Sequence, residues 1–435
     1  MNEVVIGIIG LASVIVLFLT GIELSFAMAL VGFLGFSCVV SLESGLNLLA
    51  RDIFDAFTSY NLTVVPLFIL MGQIAFNAGI AKRLYDSAYK FIGHIPGGLA
   101  MATVGGATAF KAICGSSPAT AATFASVAIP EMDKYGYSKK LSTGIVASVG
   151  TLGGLIPPSV VLIIFGLITE QSIGKLFLAG LIPGLIIALF FILIIYGWCR
   201  INPALGPKGE RSTWSERFAS LPELLWVLII FLVVIGGLMM GFFTPTEAGS
   251  VGTFAVLLLS IAKRDIDLKG FIRSLRESLR TACMVLMLVA CSNILGHFLT
   301  VTKIPMIASD WVVSLPLNRH VIILLIILIY QIGGSFIEDF AFMILATPIF
   351  YPAVIKLGFD PIWFGIIIAI NLGIGVLIPP MALNVFIVRN ITKVPFGVIY
   401  RGAYPFLISL IVCAFLLFVF PQIATFLPNL VMKQR

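Results

Sequence analysis

Charge is scarce in this chain. Asp, Glu, Lys and Arg make up 11% of its 435 residues, where an ordinary soluble protein carries about 25%. Cysteine and histidine are sparse as well, and neither is patterned for chemistry. Cys38, Cys114, Cys199, Cys283, Cys291 and Cys413 form no Cys-x-x-Cys, and most sit inside apolar runs. They read as packing residues and imply neither a disulfide framework nor a metal site. His94, His297 and His320 lie far apart and show no ligand spacing. His-Glu-x-x-His and Gly-x-Ser-x-Gly are both missing, so nothing recommends an enzyme. Residues 1–3 lack a basic start, and no Ala-x-Ala cleavage site is evident. The first apolar run is therefore read as a retained span, not a signal peptide.

Apolar sequence takes the place of charge. The chain is 60% hydrophobic, with a mean hydropathy of +1.11. Runs long enough to cross a bilayer recur at roughly 4–19, 22–40, 61–78, 176–199, 222–241, 281–300 and 402–427. A net charge of +7 could suggest a nucleic-acid binder. Here the basic residues sit in short loops between the runs, where they act as topology signals, so no nucleic-acid partner is expected.

Two of the apolar segments are interrupted in the same way. Gly153-Gly154-Leu155-Ile156-Pro157-Pro158 breaks one, and Gly373-Ile374-Gly375-Val376-Leu377-Ile378-Pro379-Pro380 breaks the other. Shifting the chain by 222 positions aligns it with itself without a gap: Pro130 falls on Pro352, Gly136 on Gly358, Tyr137 on Phe359 and Gly153 on Gly375. Upstream, Arg51 and Asp55 meet Arg273 and Glu277. Each half therefore reads as one structural unit. Interrupted helices at matching places in two halves are the best sequence pointer to a transport site.

Within residues 1–199, two spans lead to an amphipathic stretch near 44–58, a span at 61–78 and a charged stretch at 81–94. Two short apolar stretches, 97–114 and 118–131, then meet at Gly115-Ser116-Ser117-Pro118. This pattern predicts a re-entrant helical hairpin. The broken segment 139–169 and a final span at 176–199 follow. The first repeat thus divides into scaffold spans 1–94, hairpin and broken helix 95–170, and the closing span 176–199. A polar linker, 200–221, leads to the second repeat, 222–435, which divides into 222–319, 320–392 and 402–427. Its hairpin turns at residues 333–339.

The expected fold is an all-α polytopic membrane protein of two repeats, each with a re-entrant hairpin and a broken transmembrane helix. Five crossings per half require the repeats to be inverted. Basic residues agree with this: 19 of the 27 fall on one side and 7 on the other, with Lys111 inside the first hairpin. The rich side is expected to be cytoplasmic, and both termini periplasmic.

Broken helices free backbone groups that must face protein or a water-filled cavity. Carbonyls around 153–157 and 373–379 suit a hard monovalent cation. Half-helix amino ends near Pro118, Pro158 and Pro380 present partial positive charge to an anion. Candidate cation ligands in the first half are Gly115, Ser116, Ser117, Thr120, Gly153 and Pro157. Those in the second half are Gly334, Ser335, Asp339, Gly373, Gly375 and Pro379. Candidate substrate contacts are Ser117, Pro118, Pro158, Ser159, Pro380, Asn384 and Lys111. Simple proline kinks are the bland alternative; two breaks in register, each beside a hairpin, favour a site. Asp339 and Glu338 are adjacent acids in an apolar environment, where ionisable groups tend to be functional. Asp339 can hold a cation or the turn, and Glu338 can reach water. Lys111 can sit near an anion or snorkel to the interface. Arg389 is expected to anchor the cytoplasmic interface, and Thr244 and Glu247 to cap a helix.

The strings Gly115-Ser116-Ser117-Pro118-Ala119-Thr120, residues 150–159 and Phe243-Thr244-Pro245-Thr246-Glu247-Ala248 resemble the large membrane subunit of tripartite ATP-independent periplasmic (TRAP) transporters, the DctM-like family. Asp339, Pro348, residues 358–361, Asn371 and Ile378-Pro379-Pro380 match as well, so the resemblance covers nearly the whole chain. It implies a sodium-coupled importer of small organic anions, carboxylates or sulfonates, in the bacterial inner membrane. An elevator movement of the hairpins and broken helices against a scaffold is implied too. So are two partners: a small four-helix membrane subunit (DctQ-like) and a periplasmic substrate-binding protein (DctP-like). Sodium is the implied coupling ion, with no organic cofactor. Residues 200–221 contain no P-loop, in keeping with ion coupling. Lys111 and Glu338 depart from the family pattern. A self-sufficient sodium/dicarboxylate symporter and, more remotely, a multi-span membrane enzyme or assembly protein are the rival readings.

Overall fold

The computed structural model describes residues 3–432, apart from the side chains of Asp339 and Met432. Lys433 and Arg435, counted above among the basic residues, lie outside it. The described chain is helical. The first half runs α1 (Glu3–Leu19), α2 (Leu24–Val39), α3 (Leu42–Thr58), α4 (Val64–Asn77) and α5 (Ile80–Ile92). The hairpin arms α6 (Gly98–Cys114) and α7 (Ser117–Lys134) follow, then α8 (Lys139–Val149), α9 (Val160–Ile168) and α10 (Ile173–Ile201). The second half runs α11 (Trp214–Met239), α12 (Pro245–Ala262), α13 (Leu268–Val301) and α14 (Ile304–Ser314). Its hairpin arms are α15 (Arg319–Phe336) and α16 (Asp339–Lys356), followed by α17 (Pro361–Gly375), α18 (Leu383–Thr392), α19 (Phe396–Val419) and α20 (Gln422–Met432).

The shift of 222 carries each element of the first half onto its counterpart: α6 onto α15, α7 onto α16, α8 onto α17, α9 onto α18 and α10 onto α19. The halves differ at their third span and at the end of the second half, where α20 has no counterpart. In the first half, α3 and α4 are separate and bend by 55° across residues 59–60. In the second, α13 runs 34 residues without a break. Pro66 accounts for this. Lacking an amide hydrogen for a bond back to the preceding turn, it favours a fresh helical start there, whereas Leu288 holds the matching position in α13. A second departure from the expected spans lies at the end of the chain. The run read as one span over 402–427 divides into α19 and α20, because Phe420 precedes Pro421 and leaves the helical conformation, with φ −123° and ψ 73°. The linker is also shorter than residues 200–221: α10 reaches Ile201, and α11 starts at Trp214 under a Thr213/Glu216 capping box.

Among the described residues, six helices are long and apolar enough to cross a membrane, or seven with the bent α3–α4 pair counted as one span. Large apolar side chains such as Leu19, Phe26, Leu232, Phe254 and Phe415 stand exposed on the outer helices, as a lipid-facing surface requires. The anticipated cap on α12 is present: Thr244 Oγ1 accepts from Glu247 N at 3.3 Å, and Glu247 Oε2 accepts from Thr244 N at 2.8 Å. Arg389 lies over the ring of Phe396 at 4.3 Å, at the end of α18. Arg83 bridges Glu223 at 3.1 Å and Asp265 at 2.6 Å, and Lys263 bridges Glu223 at 2.6 Å. This network ties α5 to α11 and to the α12–α13 loop.

The halves pack tightly where α8 crosses α19. Gly144 Cα lies only 3.1 Å from the point that a Cβ on Gly402 would occupy, and the carbonyl of Lys140 is closer still. Gly402→Val is therefore expected to force the helices apart and lower stability by about 1–3 kcal/mol, read as a fall in melting temperature in detergent. Gly397→Ala, on the same helix but facing open space, is expected to leave stability unchanged or slightly raised.

Candidate functional site

The first hairpin turns at Gly115, whose φ of +60° suits a residue without a side chain. A Cβ there would strike the carbonyl oxygen of Pro158, so the tip sits on the break of its own half. Ser116 caps α7, its Oγ accepting from Ala119 N at 3.4 Å. Its carbonyl serves two further donors: Thr120 Oγ1 at 2.9 Å and Lys111 Nζ at 2.5 Å. Lys111 is fully buried, at 0% exposure. It therefore does not snorkel; it reaches back along α6 to close the tip.

Beyond the tip, α8 gives way to a 3-10 turn over Gly150–Gly154 before α9 begins. Ser159 caps α9, accepting from Leu162 N at 3.4 Å and donating its own hydroxyl to Gly154 O at 2.9 Å. One side chain thus satisfies both an amino end and a carbonyl freed by the break. The helices start slightly later than the proline positions suggest. α9 begins at Val160, after Ser159, and α18 at Leu383, after Ala382. Pro118 alone of the three prolines falls within a first helical turn. Both Pro-Pro bonds, Pro157-Pro158 and Pro379-Pro380, are cis.

The second half repeats the docking. Ser335 O accepts from Met381 N at 3.2 Å, joining this tip to its own break. Ser335 Oγ donates to Gln331 O at 2.7 Å. Glu338 occupies the cap position of α16, but its side chain makes no cap hydrogen bond. The Asp339 side chain, assigned to a cation above, lies outside the described residues. The two breaks also meet each other. Asn384, fully buried, donates from Nδ2 to Ala147 O at 3.1 Å, tying α18 to α8. Two buried amide oxygens, Gln331 Oε1 and Asn384 Oδ1, have no hydrogen-bond partner among the described residues.

Both tips and both breaks line one small cavity of about 70 Å³, with walls that include Ser117, Pro118, Gly154, Glu338, Gly373 and Gly375. A larger cavity of about 420 Å³ shares Ser117, Pro118, Val161, Glu338 and Phe340 with it. Gly115 and Ser116 join that wall, and α4 and α13 close it with Gly72, Gln73, Thr281, Met284 and Val285. Its size falls within the range of small-molecule sites. Among the described residues, Glu338 is the one charged side chain on either wall. Of the other residues anticipated from sequence, Lys111, Thr120, Gly153, Pro157, Pro158, Ser159, Gly334, Ser335 and Asn384 are buried and line neither cavity, while Pro379 and Pro380 are exposed and line neither. Gln73, Thr281 and Gln331 were not anticipated. Gln73 and Gln331 could have been found as polar residues within apolar runs, whereas Thr281 ends a charged stretch and carried no such signal.

Residues 11–423 match the family described as the tripartite ATP-independent periplasmic transporter, DctM component. A C4-dicarboxylate TRAP transporter large permease protein DctM of Pseudomonas aeruginosa is 37% identical over 88% of this chain and 89% of its own. A sialic acid TRAP transporter large permease protein SiaM of Vibrio cholerae is 33% identical over 90% of this chain and 92% of its own. Among solved structures, the YdaH transporter of Alcanivorax borkumensis superposes with a TM-score of 0.64 over 88% of this chain and 90% of its own, at 15% identity. That likeness concerns the fold. A match over almost the whole length, with two permeases above 30% identity, leaves one conclusion: the chain is a multi-span membrane protein that belongs to the DctM family of TRAP transporter large permeases.

Proposed function

We propose that this chain is the transport subunit of a sodium-coupled importer of small organic anions in a bacterial inner membrane. A periplasmic binding protein delivers the substrate, and a small four-helix subunit accompanies the chain. The observation that carries this reading is the meeting of two hairpin tips and two helix breaks around shared cavities near the centre of the fold. Amino ends of α7 and α9 approach from one half and those of α16 and α18 from the other, so partial positive charge converges on the bound carboxylate or sulfonate. Relatives named for C4-dicarboxylates and for sialic acid both take substrates with carboxylate groups, which supports that class.

Coupling through a cation suits the second half. There Gly373 and Gly375 border the small cavity with Glu338, and Gln331 Oε1 is a buried acceptor without a donor. Carbonyls and an acidic group are the donor set a hard monovalent cation takes. The positively rich face of the chain is read as cytoplasmic, with the repeats inverted and both termini periplasmic.

Transport proceeds as an elevator. The hairpins α6–α7 and α15–α16 and the broken pairs α8–α9 and α17–α18 move together, held by the Asn384–Ala147 and Met381–Ser335 bonds. Helices α4 and α13 of the scaffold face them across the larger cavity. Because the substrate is enclosed largely by the moving unit, one displacement exchanges its access between the two sides.

Uptake into proteoliposomes holding this chain and its small subunit is the direct test, with the binding protein and a pool of dicarboxylates, sugar acids, keto acids and sulfonates. Accumulation is expected only with the binding protein and an inward sodium gradient. Sodium-driven uptake without it would instead identify a self-sufficient symporter. Glu338→Gln is expected to raise the half-saturating sodium concentration roughly tenfold, through loss of a charge in a low-dielectric site; an unchanged sodium dependence would remove Glu338 from the coupling site.

A further inference from the structure

The two hairpin tips differ in charge at three pairs of positions. Shifted by 222, Lys111 falls on Gly333, Ser116 on Glu338 and Ser117 on Asp339. The first tip therefore carries an ammonium and two hydroxyls, and the second carries no ammonium and two carboxylic acids. The surroundings of Lys111 give this difference a meaning. Its Nζ donates to Ser116 O at 2.5 Å. It also fills the spot where a Cβ on Gly153 would stand, with Ser117 Oγ 3.1 Å from that spot. No carboxylate pairs with it among the described residues. A fully buried cation surrounded by a carbonyl, a hydroxyl and the backbone of a broken helix stands where a free monovalent cation would bind.

We infer that the Lys111 ammonium is a tethered replacement for the coupling cation of the first half. The idea rests on the sodium-coupled reading above and changes its arithmetic. The first site is permanently filled by the chain's own charge, so coupling falls to the second half alone. Nothing in the second half can play the same part: Gly333 has no side chain, and the space beside it is taken by the ring of Phe342. The tether also travels with the moving unit, because its anchor on α6 and its acceptor on the tip belong to one hairpin. It therefore stays on the tip carbonyl of Ser116 as the unit moves and transfers no ion.

A purely structural lysine would staple the tip equally well, so the test must separate a staple from a cation. The measurement is thermal melting of the purified chain with its small subunit, across a sodium series balanced with choline. Lys111→Ala opens a cation-sized space among intact oxygens. This variant is expected to melt lower than wild type in choline and to recover in sodium. The slope of its sodium dependence should exceed that of wild type by about one ion per chain. Lys111→Ser, which returns one oxygen to the space, should behave likewise and replaces the alanine variant if that fails to fold in choline. Lys111→Met fills the space without charge and is expected to stay destabilised in both salts.

Equal loss of stability in sodium and choline for the alanine and serine variants would overturn the inference. So would a slope no steeper than that of wild type. Wild type and variants that all ignore sodium would overturn both this inference and the coupling reading. Sodium rescue of the variants beside a sodium-indifferent wild type would support the tether and remove coupling from the second half.

Discussion

The constraint on which this structure depends is that a helix broken inside a membrane must find new partners for its freed backbone groups. Lipid supplies none, and each unmet group costs several kcal/mol. This chain meets the demand almost entirely from within. Ser159 serves the first break, donating to Gly154 O and receiving from Leu162 N. The second break lends the amide of Met381 to the tip carbonyl of Ser335. Asn384 then joins the breaks by binding Ala147 O. Hairpins exist because breaks exist: a re-entrant tip is the one element that can reach mid-membrane and present polar atoms to another backbone.

From that follows the grouping of helices into two bodies. Contacts that satisfy the breaks run between tips and broken helices, and some of them cross from one half to the other. Any motion that separated these elements would expose the freed groups to lipid. In the proposed elevator they move as a unit. The scaffold meets this unit differently, through the apolar and lightly polar surfaces of α4 and α13, where Gly72, Gln73, Thr281 and Met284 border a cavity. Such an interface can slide, since few hydrogen bonds are lost when it does.

Much of this was legible in the residues. Apolar runs and the shift of 222 fixed most spans, and the Gly-Ser-Ser-Pro string located the first tip to the residue. The breaks could be read because Gly and Pro act through local backbone geometry, which sequence reports directly. Less legible was anything decided by a distant partner. Asn384 could be singled out as polar in an apolar run, but its acceptor lies 237 positions away. Lys111 could be placed near the tip, yet two directions were open to its long side chain, and only the tertiary fold selects between them. The continuous α13 and the division of α19 from α20 turned on single residues, Leu288 in place of a proline and Pro421 after Phe420. Window hydropathy averages over such differences.

The comparison of halves shows what a duplicated fold leaves free to diverge. Backbone demands are equal in both, and accordingly Gly153 and Gly375, the Pro-Pro pairs and the hairpin lengths have stayed in register. Charge is not so bound. A tip must neutralise the carbonyls its break sets free, but it can do so with its own side chain or with an ion drawn from solution. Lys111 takes the first course, with its ammonium sealed from both cavities. Glu338 faces the cavities and makes no cap hydrogen bond among the described residues, as a group that attracts a soluble cation would. A cation covalently held by the moving unit crosses and returns with it, so over a full cycle it transfers no charge and draws nothing from an ion gradient. In the proposed scheme the asymmetry between the tips separates the structural need for positive charge from its energetic use: one half would retain the charge and the other would exchange it.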